Sequence, residues 1–323
     1  MMKKEDFRII FMGTPEFAVE SLKILYEHNF TIVAVITAPD KPAGRGRKIQ
    51  ESAVKKYAKN KNLKILQPTN LKNEDFISEL KNLQPDLAVV VAFRMLPEIV
   101  WAMPAYGTVN LHASLLPDYR GAAPINHAII NGETKTGVTT FFIEKDIDTG
   151  NIIAQKETEI LPNETAGELH DKLMYSGGQL ILQTVTDIMN NRVNPIPQKQ
   201  LVKGEKLKSA PKIFKDFCKI NWNHNTETIY DFIRGLSPYP AAYTEISDKN
   251  GKFFSIKIFA SEMIIEKHKH DAGILFSDNK TLIKVSAKNG YINITDLQLQ
   301  GKKRMPVKDL LNGFDISGCE IVL

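Results

Sequence analysis

Residues 87–92 read L-A-V-V-V-A, and this uninterrupted apolar run constrains the fold more than any other feature of the chain. Such a run predicts a strand buried on both faces, as in a parallel sheet that is covered by helices. Shorter apolar runs precede it at residues 7–12, 31–37 and 64–66, with helical stretches between them. Repeated strand–helix–strand units predict right-handed crossover connections. We therefore predict an α/β domain with a doubly wound, mainly parallel sheet.

The first strand-to-helix turn is a poor match for a dinucleotide-binding loop. It reads Gly13-Thr14-Pro15, with one glycine where the fingerprint has three, and Pro15 lacks the backbone N–H that a pyrophosphate would need. Thr14 is instead expected to cap the next helix, with Pro15 at its first position. Asp40 could mimic a ribose-binding acid, but it follows Pro39 in a predicted loop. Nicotinamide dinucleotide binding is therefore not expected.

Polar side chains at the end of a predicted strand form the candidate catalytic group. Asn110 and His112 alternate with apolar residues in the strand at 108–111 and its extension, so they share one face. A second apolar run at residues 137–143 leads to the turn Asp148-Thr149-Gly150. Histidine can transfer a proton near neutral pH, a carboxylate can fix its tautomer, and an amide can stabilise an oxygen that gains negative charge. The alternative is that His112 is a packed histidine and Asn110 caps a turn.

The only hydroxyl close to this group in sequence is that of Ser114, which lacks a G-x-S-x-G setting. Without a strong protein nucleophile, the pattern favours direct attack by a substrate amine or by water. The sequence therefore predicts acid–base and oxyanion chemistry on a bound substrate.

The same stretch carries a resemblance to a known family. It reads N-L-H-A-S-L-L-P-D-Y-R-G-A-A-P with a downstream D-T-G, and it resembles the formyltransferases that use 10-formyltetrahydrofolate. The resemblance implies a Rossmann-like catalytic domain and assigns the catalytic roles to Asn110, His112 and Asp148. The S-L-L-P-x-[YW]-R-G-A-A-P pattern is most similar to members that formylate the α-amine of initiator methionyl-tRNA in translation initiation. Alternatives are a sugar-nucleotide formyltransferase and a non-catalytic RNA-binding protein on the same fold.

The resemblance also implies a folate pocket, although one segment departs from the family pattern. After V-V-V-A the family has an aromatic residue and then glycine, whereas this chain reads F-R-M-L-P, which lacks the glycine and is one residue shorter. Arg94 is expected either to contact the pterin or a carboxylate, or to be a surface arginine that closes a strand. The implied folate-binding residues are Phe93, Arg94, Met95, Leu96, Ser114, Leu115, Leu116 and Pro117.

A basic segment at residues 38–50 reads A-P-D-K-P-A-G-R-G-R-K-I-Q and predicts an exposed, mobile loop. Such a charge run is either a solvated surface or a contact with nucleic-acid phosphates. The resemblance implies contact with the acceptor end of tRNA, with Arg45 prominent. The candidate tRNA-binding residues are Lys41, Arg45, Arg47 and Lys48.

The pattern changes after residue 206. A long helix is predicted at 165–189, and a Pro- and Lys-containing linker at 192–206 follows it. Short apolar runs separated by turn signals then predict a small OB-like β-barrel, which the resemblance makes a tRNA-binding domain. The predicted domains are therefore a catalytic domain at 1–191, the linker, and a barrel at 207–323. Lys302, Lys303 and Arg304 form a candidate basic patch, with a solvated surface as the alternative.

Composition limits the remaining possibilities. The net charge is +5; residues 1–206 contribute +1 and residues 207–323 contribute +4, a weak indication of a polyanionic partner near the carboxyl end. Cys218 and Cys319 lack metal-binding spacing, and the pair His268 and His270 lacks an evident third ligand, so no metal is expected. The start of the chain contains acidic residues and has no apolar core segment, so a signal peptide is not expected, and no apolar run reaches membrane-spanning length. A cytoplasmic monomer is expected.

Overall fold

The computed structural model describes residues 3–43, 48–202 and 206–322. Two compact units are present. The first unit contains Met1–Gly121, Thr136–Thr158 and His170–Ser209, and the second contains Ala122–Lys135, Glu159–Leu169 and Ala210–Leu323. The domain limits that we placed at residues 191 and 207 stay a prediction. Within the described ranges, no helix combines the length and the apolar character that a membrane crossing requires.

Strands and helices alternate along most of the chain up to residue 189. The strands are β1 (Arg8–Gly13), β2 (Thr31–Ile36), β3 (Lys41–Ala43), β4 (Lys48–Gln50), β5 (Ile65–Leu66), β6 (Leu87–Val91), β7 (Thr108–His112), β8 (Arg120–Gly121), β9 (Lys135–Phe142) and β10 (Ile152–Glu159). The helices are α1 (Phe17–Glu27), α2 (Ala53–Asn60), α3 (Glu74–Asn82), α4 (Glu98–Trp101), α5 (Pro124–Ile130) and α6 (Ala166–Met189).

The central sheet of the first unit has the strand order β10-β9-β7-β6-β1-β2-β5. The pairs β1–β2, β1–β6, β2–β5 and β6–β7 are parallel, and β9 is antiparallel to β7. The order reverses at β1, because the chain first builds outward through β2 and β5 and then returns to β6 on the other side. The prediction of a Rossmann-like, doubly wound, mainly parallel sheet is confirmed.

Burial on both faces explains why the central strands are so apolar. All five residues of β6 are buried, and β1 is buried from Ile9 to its end. Gly13 ends β1 where space is short, since an added Cβ would lie 2.6 Å from the Cβ of Ala18. The helix that follows begins at Phe17, so the predicted cap at Thr14 is wrong; Glu16 occupies the N-cap and makes no side-chain capping hydrogen bond.

The basic segment is more ordered at its flanks than we expected. β3 and β4 pair antiparallel, with Lys41 opposite Gln50 and Ala43 opposite Lys48. These flanks therefore form a ladder rather than the predicted loop. Asp40 precedes the ladder, and its carboxylate accepts hydrogen bonds from Lys55 and Gln67. The bond from Lys55 is the main reason that the pKa of Asp40 lies below its usual value.

The second unit contains a barrel-like antiparallel sheet. After the short strand β11 (Ser209–Ala210), its strands are β12 (Ala242–Ser247), β13 (Phe253–Ile265), β14 (Leu275–Ser277), β15 (Ile283–Ala287), β16 (Gly290–Leu299), β17 (Met305–Pro306) and β18 (Glu320–Val322). The sheet order is β14-β15-β16-β13-β12-β18, with β17 paired to β16. The register of β13 against β16 shifts near Ala260, and such a bulge increases the twist that lets a sheet curl. The predicted OB-like barrel is confirmed as a nearly closed, barrel-like antiparallel sheet.

The helices α7 (Thr226–Leu236) and α8 (Val307–Leu311) cover this sheet. Ile229, Ile233 and Leu236 recur at helical spacing on α7 and are all buried in its core. Trp222 is 1% exposed in the same core, and its indole N–H donates to the Thr244 hydroxyl at 3.1 Å. Short 3₁₀ helices occupy Gln198–Leu201 and Lys215–Cys218.

Candidate active site

The carboxyl ends of the parallel strands bring the predicted catalytic residues to one edge of the first unit's sheet. β7 lies between β6 and β9, with Leu111 opposite Val91 in β6 and His112 opposite Thr139 in β9. His112 is therefore the last residue of a central strand, where ligands bind in open α/β sheets. Its side chain is 8% exposed, so it lies just beneath the surface of this edge.

Both ring nitrogens of His112 face oxygen atoms. Nε2 lies 2.9 Å from the carbonyl oxygen of Tyr119, and because a carbonyl only accepts, Nε2 is the donor. Nδ1 lies 3.8 Å from Oδ2 of Asp148, which is an ion-pair distance but too long for a hydrogen bond. The Tyr119 carbonyl thus fixes the ring orientation, while Nδ1 remains on the side of the carboxylate. His112 and Asp148 therefore lie close together, as predicted.

Asp148 is held in an uncommon backbone conformation. Its φ is +54°, in the left-handed region that costs a non-glycine residue about 1 kcal/mol or more. Its carboxylate is 11% exposed, and Oδ2 accepts a hydrogen bond from the backbone N–H of Gly121 at 3.0 Å. The same oxygen therefore faces both Gly121 and His112, which fixes the direction in which the negative charge acts.

Asn110 is half-buried and lies two residues before the end of β7, on the same side of the strand as His112. Within the part of the chain that the structure describes, its side-chain amide has no hydrogen-bond partner. An amide without a partner beside a buried histidine can donate to a substrate oxygen. The trio Asn110, His112 and Asp148 is thus brought to one place, although its catalytic role stays a prediction.

Two further residues support this group and were missed in the sequence. Arg120 donates to the side-chain oxygen of Gln198 through Nη2 at 2.6 Å and Nε at 3.1 Å. The amide nitrogen of Gln198 in turn donates to the carbonyls of Asp148 and Gly150, each at 2.9 Å. Arg120 falls inside the recognised motif, but Gln198 lies in the segment predicted to be a linker. Nothing in its local pattern could have indicated burial.

The segment that differs from the family pattern, residues 93–96, follows the end of β6. Because β6 and β7 are parallel neighbours, it lies at the same sheet edge as His112. Phe93 is half-buried, Arg94 is exposed, Met95 is 71% exposed and Leu96 is buried. The guanidinium of Arg94 donates to the backbone carbonyls of Pro68 and Thr69. These bonds are those expected of a surface arginine that anchors a turn, and they leave other N–H groups for a ligand. The folate-binding role of residues 93–96 stays a prediction.

An open groove of about 680 Å³ lies next to this segment. Its lining includes Lys72 and Arg94 together with the apolar side chains of Leu71, Met95 and Ile99. A groove with two cations and an apolar floor suits an anionic ligand that also has an apolar body.

The second predicted folate segment is anchored from the protein interior. Ser114 is fully buried, and its hydroxyl donates to the carbonyl of Asp118 at 2.7 Å, so it is not placed as a nucleophile. Leu116 and Pro117 are buried, and Leu115 packs against Gly137, where an added Cβ would lie 2.6 Å from its side chain. Folate contact by Ser114, Leu115, Leu116 and Pro117 stays a prediction.

The candidate tRNA-binding residues are only partly described. Lys41 is exposed in β3. Arg45 and Arg47 lie outside the described residues, and the backbone of Lys48 in β4 pairs with Ala43 in β3. Binding of tRNA by the basic segment stays a prediction.

The basic patch of the second unit has two kinds of cation. Lys302 and Lys303 are exposed. Arg304 donates to the carboxylate of Asp296 at 2.9 Å and lies over the ring of Phe259 at 4.5 Å. Its charge is thus partly compensated, whereas the two lysines are open to an anionic partner. Binding of tRNA by this patch stays a prediction.

No metal centre emerges from the ranges described. Groups of three His, Cys, Asp or Glu side chains placed to hold an ion do not occur there. The rings of His268 and His270 stack at 5.7 Å, and Nε2 of His268 binds the carbonyl of Gly290. Cys218 and Cys319 are buried free thiols.

Comparison with known families identifies the class of protein. Residues 7–185 match the formyl transferase family, and residues 212–315 match the formyl transferase C-terminal domain. The chain therefore belongs to the formyl transferase family. Methionyl-tRNA formyltransferase from Bacteroides thetaiotaomicron is 54% identical over 316 residues, which cover 98% of each chain. Within the family, its place is among the methionyl-tRNA formyltransferases.

Solved structures of lower identity share the fold. WlaRD, a sugar 3N-formyl transferase crystallised in the presence of dTDP and 5-N-formyl-THF, has a TM-score of 0.65 at 23% identity, covering 92% of this chain and 99% of that one. HypX from Aquifex aeolicus in complex with tetrahydrofolic acid has a TM-score of 0.63 at 17% identity and covers 96% of this chain. The chain spans about half the length of HypX, 48% of it.

Proposed function

We propose that this chain transfers the formyl group of 10-formyltetrahydrofolate to the α-amine of methionyl-tRNA, the initiator in translation. Full-length identity of 54% to a methionyl-tRNA formyltransferase supports the acceptor. Membership of the formyl transferase family supports a formyl-tetrahydrofolate donor. The proposal covers the whole chain, because both parts of the family pattern are matched.

The reaction is an acyl transfer between two nitrogen atoms. The uncharged amine of methionine attacks the formyl carbon, and the carbonyl oxygen takes up negative charge in a tetrahedral intermediate. The bond between that carbon and N10 of the folate then breaks. One proton leaves the attacking nitrogen and one reaches N10, so that tetrahydrofolate and formylated methionyl-tRNA are released. The protein must stabilise the oxyanion and carry this proton.

One observation carries the proposed mechanism: Nδ1 of His112 and Oδ2 of Asp148 approach to 3.8 Å beside an Asn110 amide that is open to a ligand. A protonated His112 donates from Nδ1 to the oxyanion, because Nε2 is engaged by the Tyr119 carbonyl. Asn110 supplies a second, neutral donor. Asp148, whose Oδ2 lies 3.8 Å from the same nitrogen, compensates the imidazolium charge without taking that N–H in a hydrogen bond.

The placement of the two substrates follows from the same edge of the sheet. The segments 93–96 and 114–117 flank the end of β7, and in this proposal they hold the folate. Lys41, Arg45, Arg47 and Lys48 approach the tRNA acceptor end, and Lys302, Lys303 and Arg304 approach its backbone. Positively charged side chains stabilise such contacts by releasing counterions from the phosphates.

Two alternatives are less well supported. A sugar-nucleotide acceptor is suggested only by structures such as WlaRD, whose 23% identity supports the fold and not the substrate. A non-catalytic RNA-binding protein would have no need for the buried His112–Asp148 pair or for the left-handed backbone of Asp148. Both alternatives predict no formylation of methionyl-tRNA.

The test is a formyl-transfer assay with 10-formyltetrahydrofolate and either charged initiator tRNA or an amino-sugar nucleotide. The wild type should formylate the tRNA. His112→Ala and Asp148→Ala should each reduce kcat by roughly a hundredfold or more, the scale of a lost acid–base or oxyanion group. Near-normal turnover in a folded His112→Ala variant contradicts the mechanism. Formylation of the sugar nucleotide alone contradicts the acceptor.

A further inference from the structure

Gln198 is buried in a stretch whose neighbours are exposed. It is 2% exposed, whereas Lys199 and Gln200 in the same short 3₁₀ helix are exposed. Burying an amide is unfavourable unless each of its polar atoms finds a partner. The burial of Gln198 therefore indicates a specific set of hydrogen bonds rather than simple packing.

Those hydrogen bonds use the full capacity of the side chain. Its oxygen accepts from Nε and Nη2 of Arg120, and its nitrogen donates to the carbonyls of Asp148 and Gly150. The orientation of the amide is unambiguous, because a guanidinium only donates and a backbone carbonyl only accepts. All donors and acceptors of the Gln198 side chain are satisfied by this arrangement.

These bonds form a closed circuit around the carboxylate that faces His112. Gln198 holds the backbone carbonyl of Asp148 and binds Arg120, and the residue after Arg120 is Gly121, whose N–H holds Oδ2 of Asp148. The main chain and the side chain of Asp148 are thereby fixed from two directions. This explains how a left-handed aspartate stays in place at the end of an exposed turn.

We propose that Gln198 is a positioning residue for the reaction: it sets the position of the Asp148 carboxylate relative to His112. The inference rests on the proposed function, because it assigns Gln198 a role through a catalytic Asp148. The hydrogen-bond partners of the Gln198 side chain are Arg120, Asp148 and Gly150, and His112 is not one of them. Loss of its amide should affect turnover more than substrate binding.

Gln198→Met tests this directly, because methionine has a similar length and no comparable hydrogen-bonding groups. A shift of about 1 Å in a catalytic group can cost roughly a hundredfold in rate, so we expect kcat to fall by about tenfold or more. The KM values for folate and for charged tRNA should change by less than about twofold, since uniform binding is not lost. Gln200→Met, on the exposed part of the same helix, is the matched control and should behave as wild type.

A second variant separates the two halves of the circuit. Gln198→Glu keeps an oxygen that accepts from Arg120 but cannot donate to Asp148 and Gly150. If positioning depends on those donations, Gln198→Glu should lose activity like Gln198→Met. Full activity in either folded variant overturns the inference. Thermal melting shows which variants fold. If neither Gln198 variant folds, Arg120→Lys tests the same inference, because it weakens the two hydrogen bonds that Arg120 donates to the Gln198 side-chain oxygen.

A double-mutant cycle distinguishes positioning from a merely structural role. Residues that act through one group give non-additive effects. In an Asp148→Asn background, Gln198→Met should therefore reduce kcat by less than about twofold. Equal losses in both backgrounds contradict a role through Asp148 while leaving the proposed function intact. If Asp148→Asn alone is fully active, the catalytic role of Asp148 fails and the inference about Gln198 fails with it, whereas failure of the proposed function would appear as a wild type that does not formylate methionyl-tRNA.

Discussion

Gly150 closes the turn that carries Asp148, and it is the position at which a single methyl group should disturb the site most. A Cβ added there would lie 1.7 Å from the carbonyl oxygen of Phe142 and 2.9 Å from the carbonyl carbon. Both atoms belong to the backbone, so neither can rotate away as a flexible side chain would. The carbonyl of Gly150 also accepts a hydrogen bond from Gln198, and the carbonyl of the next residue, Asn151, accepts one from the backbone N–H of Phe142. Gly150→Ala must therefore move the turn as a whole.

The size of the displacement follows from the distance. Moving the Cβ from 1.7 Å to the 3.0 Å that real contacts require is a shift of about 1.3 Å. Forcing extra volume into a packed site costs about 1–3 kcal/mol of stability. A catalytic group misplaced by about 1 Å loses roughly a hundredfold in rate. Because Asp148 is two residues away, we expect kcat/KM for methionyl-tRNA to fall about a hundredfold.

The assay compares initial formylation rates and melting temperatures of wild type, Gly150→Ala and Gly313→Ala. Gly313 is the control, because an added Cβ there meets no atom within 4 Å. Gly313→Ala should keep wild-type activity. A Gly150→Ala protein with unchanged melting temperature and unchanged rate would refute the reasoning, since it would mean that the turn accommodates the methyl group without moving Asp148.

Three further predictions concern other parts of the molecule. Arg94→Ala should weaken folate binding in a titration while charged-tRNA binding is retained; unchanged folate affinity would leave Arg94 as a surface anchor of the turn at Pro68 and Thr69. Arg45→Ala should strongly reduce formylation of charged tRNA with folate binding intact, and any phosphate component of the defect should shrink as salt rises; normal tRNA kinetics would make the basic segment a solvated charge run. The Thr281 hydroxyl and nearby backbone N–H groups hold the pKa of Asp278 well below its usual value of 3.8. Its stabilising contribution is therefore present above that value and lost as pH falls, so Asp278→Ala should lower the melting temperature at pH 7 and less so towards pH 2; an equal difference at both values would contradict this.

The sequence by itself determined the fold class and singled out the candidate catalytic groups. The apolar run at residues 87–92 required a buried central strand, and the structure has β6 at Leu87–Val91. The helical pattern likewise located α6 to within a residue, at Ala166–Met189 against the predicted 165–189, because a long helical pattern leaves little freedom. Asn110 and His112 were assigned to one face because a strand alternates its side chains, and the motif added Asp148. These are local properties, and they are set by neighbouring residues along the chain.

Only the tertiary structure decided what surrounds those groups. Asp148 lies 36 residues beyond His112 in the sequence, and the distance of 3.8 Å between them depends on the pairing of β7 with β9 and on the turn that follows. Gln198 was placed in a linker because its neighbours are prolines and exposed polar residues. Its burial arises from partners 48 to 78 residues away. A hydrogen bond between such distant residues leaves no periodic trace in the sequence, because its energy depends on where the fold brings two polar atoms together.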